Sequence, residues 1–169
     1  RVSRVVRGLS YLKKNATLRY GASLGAYSGA GTGMSGLLAL RRKLLTNLSD
    51  YEVSLVERFA EWADHIFAES LAHYAVAIRS DATTLNIVYP PDDQRYLRLR
   101  VRRKATKTEV GWIVVASKQM NNNHYFGDLR VGTLVDGFGR AEDVPTLIAA
   151  GLNHLVEVGV DIIVANFSH

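Results

Sequence analysis

The 169 residues, 47% of them hydrophobic, suit one globular domain with a buried core, and the formal net charge is +5. The absence of cysteine excludes disulfide scaffolds, thiolate metal sites and cysteine nucleophiles, and it agrees with the cytoplasmic location that we expect. No apolar run approaches the roughly 20 residues that a membrane-spanning helix needs.

The positive charge is concentrated in residues 1–50, which hold nine basic residues and one acidic residue and carry a net charge of +8. A nucleic-acid-binding domain concentrates its charge on a folded face, whereas this segment contains the glycine-rich stretch "GASLGAYSGAGTGMSG", which resists regular structure. We therefore predict a basic arm or linker and no nucleic-acid partner. Within it, "LLALRRKLLTNL" at 37–48 is either a solvated helix or a peripheral membrane contact. Because the chain opens with Arg1, we interpret it as a piece of a longer protein.

Elements of a folded domain begin at Tyr51. "YEVSLVERF" alternates as a strand does, and the apolar residues of "AEWADHIFAESLAHYAVAI" fall at helical spacing. Asp81 is predicted to cap a second, short helix that ends near Pro90. "RYLRLRVRRK" then alternates apolar residues with arginines, which predicts a strand whose arginine face lies in solvent; the arginines are Arg98, Arg100 and Arg102.

Two more strands, a helix and a final strand complete the pattern. "VGWIVVASK" is predicted to be buried on both faces, and "LRVGTLVDGF" is the next strand. An apolar stripe from Val144 to Val156 predicts a helix with Asp143 as its N-cap and Gly159 at its end, before the short strand "VDIIVANF". A strand, a helix and a strand in succession join parallel neighbours. The chain is therefore predicted to be α+β, with a mixed, mostly antiparallel sheet flanked by helices.

Over residues 51–169 this order of elements resembles the GNAT superfamily of N-acetyltransferases. The resemblance is carried by "VERFAEWADHIFAES", "RSDATTLNIVYPPDDQRYLRLRVRR", "EVGWIVVAS", "VGTLVDGF" and "DVPTLIAAGLNHLVEVGVDIIVAN". These segments are similar to GNAT domains that bacteria use in surface-polysaccharide biosynthesis. The resemblance implies a domain at 51–169 that moves an acyl group from acetyl-CoA or another acyl-CoA to an amine, such as an amino sugar. It also implies a further helix and two strands, so the predicted fold lacks its C-terminal elements unless residues 1–50 or another chain supply them.

In that superfamily the pyrophosphate of acyl-CoA rests on a loop of small residues between a strand and a helix, where backbone N–H groups hold the anion. At the matching place, the resemblance implies the cofactor-binding residues Val135, Gly137, Gly139, Arg140 and Ala141. Glu142 and Asp143 follow them and repel a phosphate at the helix start. The stretch is thus either a phosphate cradle or only a tight turn at two glycines.

Acyl transfer to an amine needs a general base. Asp136 lies on the matching strand and is the first candidate, although it can equally cap the turn at Gly137. His124 and Tyr125, in the polar loop "NNNHYFGD", are further catalytic candidates that otherwise form plain surface. The spacing of the histidines indicates no metal site.

Two functions stay open at this point. The first is the GNAT-like N-acyltransferase, and the second is a degenerate GNAT-like interaction or scaffold domain without catalysis. The altered spacing of "GFGRA" and the missing C-terminal elements favour the second, whereas the order of strands and helices fits both.

Overall fold

The computed structural model describes residues 2–5, 47–71, 74 and 79–165, with the backbone alone for the first range. The strands in these residues are β1 (Val2–Val5), β2 (Tyr51–Val56), β3 (Tyr96–Arg103), β4 (Glu109–Gln119), β5 (Arg130–Gly139) and β6 (Ile162–Ala165). The helices are α1 (Glu61–Leu71), α2 (Ala82–Val88) and α3 (Val144–Glu157), with a 3-10 turn at Ala141–Asp143 before α3.

The strands form one sheet in the order β1-β6-β5-β4-β3-β2. β1 and β6 are antiparallel, as are β2 and β3, whereas β5 and β6 are parallel. The predicted α+β class with a mixed sheet and flanking helices is confirmed.

The chain divides into two compact units. The described residues of the terminal unit are 2–5, 116–134 and 152–165, and those of the central unit are 47–71, 74, 79–115 and 135–151. Residues 2–5 lie in the predicted arm and form β1. Residues 6–46 lie outside the described part, and with them the glycine-rich stretch and nearly all of the predicted basic helix at 37–48, so its membrane contact stays a prediction.

In the central unit, β2 pairs with β3 along its whole length, from Tyr51 opposite Arg103 to Val56 opposite Arg98. Asp81 caps α2, since its Oδ1 accepts from the Thr84 N–H at 2.8 Å. This confirms the predicted cap. α2 ends at Val88, as predicted from the prolines that follow.

Arg98 contradicts the predicted solvated face of β3. Its side chain is buried, with 4% of the residue exposed. The guanidinium donates to the carbonyl oxygens of Tyr89, Pro90 and Tyr96. Five fixed N–H donors suit an arginine to this role, because the burial of the charge is offset by several acceptors at once.

The other two arginines of that face are also engaged. Arg100 forms an ion pair with Glu109 and lies 4.9 Å from the centre of the Trp62 ring. Arg102 donates to Glu52 on β2 at 2.9 Å. The alternating pattern correctly predicts the strand, but the prediction of a solvent-facing arginine stripe is wrong, since these partners come from distant parts of the sequence.

β4 is buried on both faces, as predicted, from Val110 to Val115. Trp112 is 1% exposed, and its ring meets the Phe59 ring edge-on at 5.2 Å. This strand therefore lies at the centre of the central unit's core. The burial of each large apolar side chain contributes roughly 1.5–3 kcal/mol to the stability of the fold.

The connection between β5 and α3 differs from the predicted turn. β5 continues through Gly139, so Gly137 and Gly139 lie inside a strand and the chain turns at residues 140–143 instead. Asp143 is buried, and its carboxylate accepts from Arg103 Nη2 at 3.0 Å, not from the first turn of α3. The predicted N-cap role of Asp143 is therefore wrong, because a basic side chain from β3 reaches it.

In the terminal unit, β6 runs parallel to β5 and antiparallel to β1. Val131 and Val164 belong to a buried cluster of this unit. α3 ends at Glu157, and Gly159, predicted to close it, follows two residues later with a left-handed φ of 80° that suits glycine. The position on the far side of β6 is thus filled by β1, from the start of the sequence.

Candidate active site

Asp136 lies in β5, in the central unit, and is half-buried. Its Oδ2 accepts a hydrogen bond from the Tyr89 hydroxyl at 2.9 Å, and its Oδ1 accepts from the Gly137 N–H at 2.8 Å. A carboxylate offers about four acceptor positions. The two bonds therefore orient Asp136 and leave it able to accept from a ligand.

Tyr89 is the C-cap residue of α2, and several contacts hold it in place. The Asn86 side chain exchanges two hydrogen bonds with the backbone of Phe59, at 3.0 and 2.9 Å. Arg98 binds the Tyr89 carbonyl oxygen at 3.0 Å. The hydroxyl is therefore presented to Asp136 from a fixed backbone.

The protonation of Tyr89 suits this arrangement. Burial, and after it the neighbouring Asp136 carboxylate, raise the pKa of Tyr89 above its ordinary value of 10.0. The hydroxyl stays protonated at neutral pH and donates to Asp136.

A cavity of about 360 Å³ lies beside Asp136 in the central unit. This volume is within the range of roughly 300–1,000 Å³ that is usual for small-molecule sites. Four of the described lining residues are aromatic, and these are Tyr74, Tyr89, Trp112 and Phe138. The cavity therefore combines a carboxylate with four aromatic side chains.

Tyr74 and Phe138 continue this wall to the end of β5. Their ring centres are 5.4 Å apart, and the Tyr74 hydroxyl donates to the Gly139 carbonyl oxygen at 2.7 Å. The described lining on β5 therefore runs from Asp136 to Phe138, two residues before Arg140.

The start of α3 carries fewer free charges than its sequence indicates. Asp143 is paired with Arg103, which leaves Glu142 exposed. The Arg140 guanidinium lies 3.3 Å from the Glu69 carboxylate, and both side chains are about half exposed. Such an exposed pair is weak and can open when another anion arrives.

Backbone N–H groups are the other requirement of an anion site. In the 3-10 turn, the N–H groups of Asp143 and Val144 donate to the carbonyl oxygens of Arg140 and Ala141. The N–H groups of Ala141 and Glu142 come before these bonds, as the first donors of a helical segment do. Ala141, Glu142 and the Arg140 side chain therefore suit a phosphate, whereas the Glu142 carboxylate opposes it.

Close packing accounts for Gly137 and Gly139, near the end of β5. A Cβ atom on Gly139 would lie 2.6 Å from the Val110 carbonyl oxygen and 3.0 Å from a Leu147 methyl group. On Gly137, the nearest atom would be the Trp112 carbonyl oxygen at 3.2 Å. The neighbouring strand and α3 approach too closely for a side chain at Gly139.

The predicted site residues fall in three places. Asp136 lines the cavity together with Gly137, and Val135 packs against the hydrophobic core of the central unit. Arg140 and Ala141 lie at the start of α3, after Gly139 at the end of β5. The cofactor-binding role of these five residues stays a prediction.

His124 and Tyr125 belong to the loop between β4 and β5, in the terminal unit. Their rings meet edge-on at 5.0 Å, and Tyr125 is 79% exposed. The Asn123 side chain shapes the loop, accepting from the N–H groups of Tyr125 and Phe126. They are not among the described residues that line the cavity, and their catalytic role stays a prediction.

The sequence does not predict the aromatic residues that line the cavity with Asp136. Tyr89 was notable only as the residue before Pro90, and Trp112 only as part of a buried strand. The available signal is the hydroxyl of Tyr89 just after a short helix, since a buried tyrosine needs a hydrogen-bond partner.

Among the residues described here, no three histidine, aspartate or glutamate side chains are grouped so that they could hold a metal ion. No helix in the described ranges has the length and apolar character needed to cross a membrane.

No protein-family model matches the sequence, and no curated protein matches it significantly. Among solved structures, the chain is similar to a GNAT family acetyltransferase from Staphylococcus aureus, with a TM-score of 0.51 and 7% identity, over 71% of this chain and 88% of that one. It is also similar to a ribosomal-protein-alanine N-acetyltransferase from Brucella melitensis, with a TM-score of 0.48 and 16% identity, over 69% and 80% of the two chains. A glucosamine-6-phosphate N-acetyltransferase from Arabidopsis thaliana has a TM-score of 0.46 and 8% identity, over 70% and 82%.

The likeness to the Staphylococcus aureus structure concerns the fold, since at 7% identity it carries no information on substrates. The strand order and the flanking helices agree with it. The chain therefore has the fold of the GNAT acetyltransferases, as its order of elements predicts.

Proposed function

We propose that this protein is an acyl-CoA-dependent N-acyltransferase in which Asp136 is the general base. The observation that carries the proposal is the Asp136 carboxylate, oriented by the Tyr89 hydroxyl and the Gly137 N–H beside a cavity of about 360 Å³. A base must lie within hydrogen-bond reach of the proton that it removes. A ligand in this cavity can place its amine against Asp136.

The reaction joins the acceptor nitrogen to the acyl carbon and breaks the carbon–sulfur bond of the thioester. Asp136 removes a proton from the ammonium group, either directly or through water, so that the nitrogen has a free electron pair. The nitrogen attacks the carbonyl carbon, and its second proton leaves as the amide forms. The thiolate departs and takes up one proton, so that the products are an amide, a free thiol and one released proton.

The acyl-CoA supplies the activated acyl group, and the start of α3 suits its pyrophosphate. The N–H groups of Ala141 and Glu142 and the guanidinium of Arg140 are the donors that the described residues offer there. Since the Arg103 partner neutralises Asp143, one carboxylate opposes the phosphate instead of two. Gly137 and Gly139 keep their predicted place in the cofactor site as backbone over which the pantetheine arm can pass.

An amino sugar, which the sequence resemblance implies, is one candidate acceptor, and a role in bacterial polysaccharide synthesis in the cytoplasm is the setting that follows from it. His124 and Tyr125 are further candidates for contacts to the acceptor.

A second candidate function is a scaffold domain without catalysis. The charges at the start of α3 favour it, since Arg140 is paired with Glu69 and Glu142 is exposed there. A domain that no longer binds acyl-CoA has no need of an unobstructed anion site.

Turnover distinguishes the two functions. The unaltered protein, Asp136→Asn and the matched control Asp92→Asn are incubated with acetyl-CoA and a panel of primary amines, and the release of free thiol is followed. Asp92 is an exposed carboxylate outside the described lining of the cavity. The proposal predicts thiol release with at least one amine, a loss of about 100-fold or more in Asp136→Asn, since general bases contribute 10²–10⁴-fold, and no change in Asp92→Asn. Equal rates in all three proteins would exclude Asp136 as the base, and an absence of release would favour the scaffold.

A further inference from the structure

The lining of the Asp136 cavity indicates which kind of amine it receives. Four aromatic residues belong to the described lining. The ring centre of Phe138 lies 5.4 Å from that of Tyr74 and 5.8 Å from that of Phe67, which supports it from outside the lining. Val88 also lines the cavity, and it is 53% exposed. A flat, apolar ligand body is what such a wall accommodates.

The charge at this wall points to the other end of the ligand. Asp136 is the carboxylate among the described lining residues, and the described lining contains one cation, Arg79, whose side chain is paired with Asp81. An ammonium group is attracted by a carboxylate and by the faces of aromatic rings within about 6 Å. The cavity therefore favours a ligand with one positive nitrogen.

Four described lining residues carry a hydroxyl group, Tyr74, Ser80, Thr84 and Tyr89, and the Thr84 side chain forms a hydrogen bond with Asp81. The Tyr74 hydroxyl donates to the Gly139 carbonyl oxygen, and the Tyr89 hydroxyl donates to Asp136. A sugar brings several hydroxyl groups, and each that enters an apolar site without a partner costs about 1–3 kcal/mol in binding. The same lining that suits an aromatic ring thus opposes an amino sugar.

We propose that the acceptor of this site is a primary amine on an aromatic body, with the ammonium held by Asp136 and the ring lying against Tyr74, Trp112 and Phe138. The inference rests on the proposed function, because only an acyltransferase has an acceptor. Binding of the amine can nevertheless be measured without turnover.

The test measures binding by isothermal titration in the presence of coenzyme A, with three ligands of similar size. These are 2-phenylethylamine, the neutral 2-phenylethanol and glucosamine. We expect 2-phenylethylamine to bind about tenfold or more tightly than either of the others. In Asp136→Asn its affinity falls by about 10- to 100-fold, as expected for a lost charged hydrogen bond, and in Asp92→Asn it does not change. Tyr74→Leu, at a half-buried position of the wall, weakens it by about two- to fivefold.

Each result decides one of the two claims. If glucosamine binds as tightly as 2-phenylethylamine, the aromatic-amine inference is wrong, and the proposed acyltransferase stands if thiol is released with glucosamine. If 2-phenylethanol binds equally well, the site is an apolar slot without amine recognition and the inference is wrong. If no ligand binds to a protein whose circular dichroism is unchanged, the inference also fails. If 2-phenylethylamine binds through Asp136 but no amine releases thiol from acetyl-CoA, the inference holds and the acyltransferase fails.

Discussion

Replacing Gly139 by alanine separates a packing role for this glycine from a role in a phosphate cradle. The new Cβ atom would lie 2.6 Å from the Val110 carbonyl oxygen and 3.0 Å from a Leu147 methyl group. Ordinary carbon–oxygen contacts are about 3.3–3.6 Å, so a backbone atom of the neighbouring strand must move by roughly 0.7 Å. Overpacking of this kind costs about 1–3 kcal/mol.

For a protein of this length, 1 kcal/mol shifts the melting temperature by about 2–4 °C, so we expect Gly139→Ala to lower it by about 2–12 °C. Gly137→Ala is the matched control, because its nearest contact is 3.2 Å, to the Trp112 carbonyl oxygen. Its change should stay within about 1 kcal/mol, since alanine also reduces the freedom of the unfolded chain. Thermal and urea unfolding, followed by circular dichroism, measure both variants. If Gly139→Ala were as stable as the unaltered protein, or less affected than Gly137→Ala, the packing explanation would be wrong.

Three more predictions follow from single contacts. Glu142→Gln should tighten the binding of coenzyme A by about two- to fivefold in titration calorimetry. The reason is that an exposed carboxylate at a helix start opposes a bound phosphate by about 0.3–1 kcal/mol. Weaker binding by this variant would contradict the prediction. Arg98→Met should lower the free energy of unfolding in urea by about 1–3 kcal/mol, since it leaves buried carbonyl oxygens without donors. Arg98→Lys should lose less of this free energy than Arg98→Met but remain less stable than the unaltered protein, because an ammonium lacks the planar set of donors of a guanidinium. The Thr84 backbone N–H and the neighbouring Arg79 lower the pKa of Asp81 from 3.8 to about 2. The stability that the Asp81 charge contributes is therefore present above about pH 4 and is lost as the pH falls through 2. The difference in melting temperature between the unaltered protein and Asp81→Asn should shrink over that interval.

The order of strands and helices in the described residues was predictable because each element has its own local signal. The alternation in β3, the uninterrupted apolar run of β4 and the Asp81 cap of α2 are properties of neighbouring residues. The same local patterns failed where a side chain is bound by groups outside the pattern that predicts its element. The alternation in β3 predicts a solvated Arg98, but carbonyl oxygens around Pro90 bind its guanidinium. The position of Asp143 predicts a helix cap, but its carboxylate is bound by Arg103.

The candidate site was predictable only in part. Asp136 could be chosen from its strand, but its pairing with Tyr89 joins residues that are 47 positions apart. β1 could not be predicted beside β6, because a four-residue strand has little pattern of its own and its partner lies at the other end of the described chain. Contacts of this kind depend on the topology of the sheet, which no short segment specifies.

Titration of acetyl-CoA and coenzyme A into the unaltered protein decides whether this chain uses acyl-CoA. We expect micromolar binding of both ligands, weakened by about two- to fivefold in Arg140→Ala, because its half-exposed guanidinium is one of the donors proposed at the start of α3. An absence of binding, with the protein folded, would contradict an acyl-CoA-dependent enzyme and would leave the GNAT fold of this chain as a scaffold.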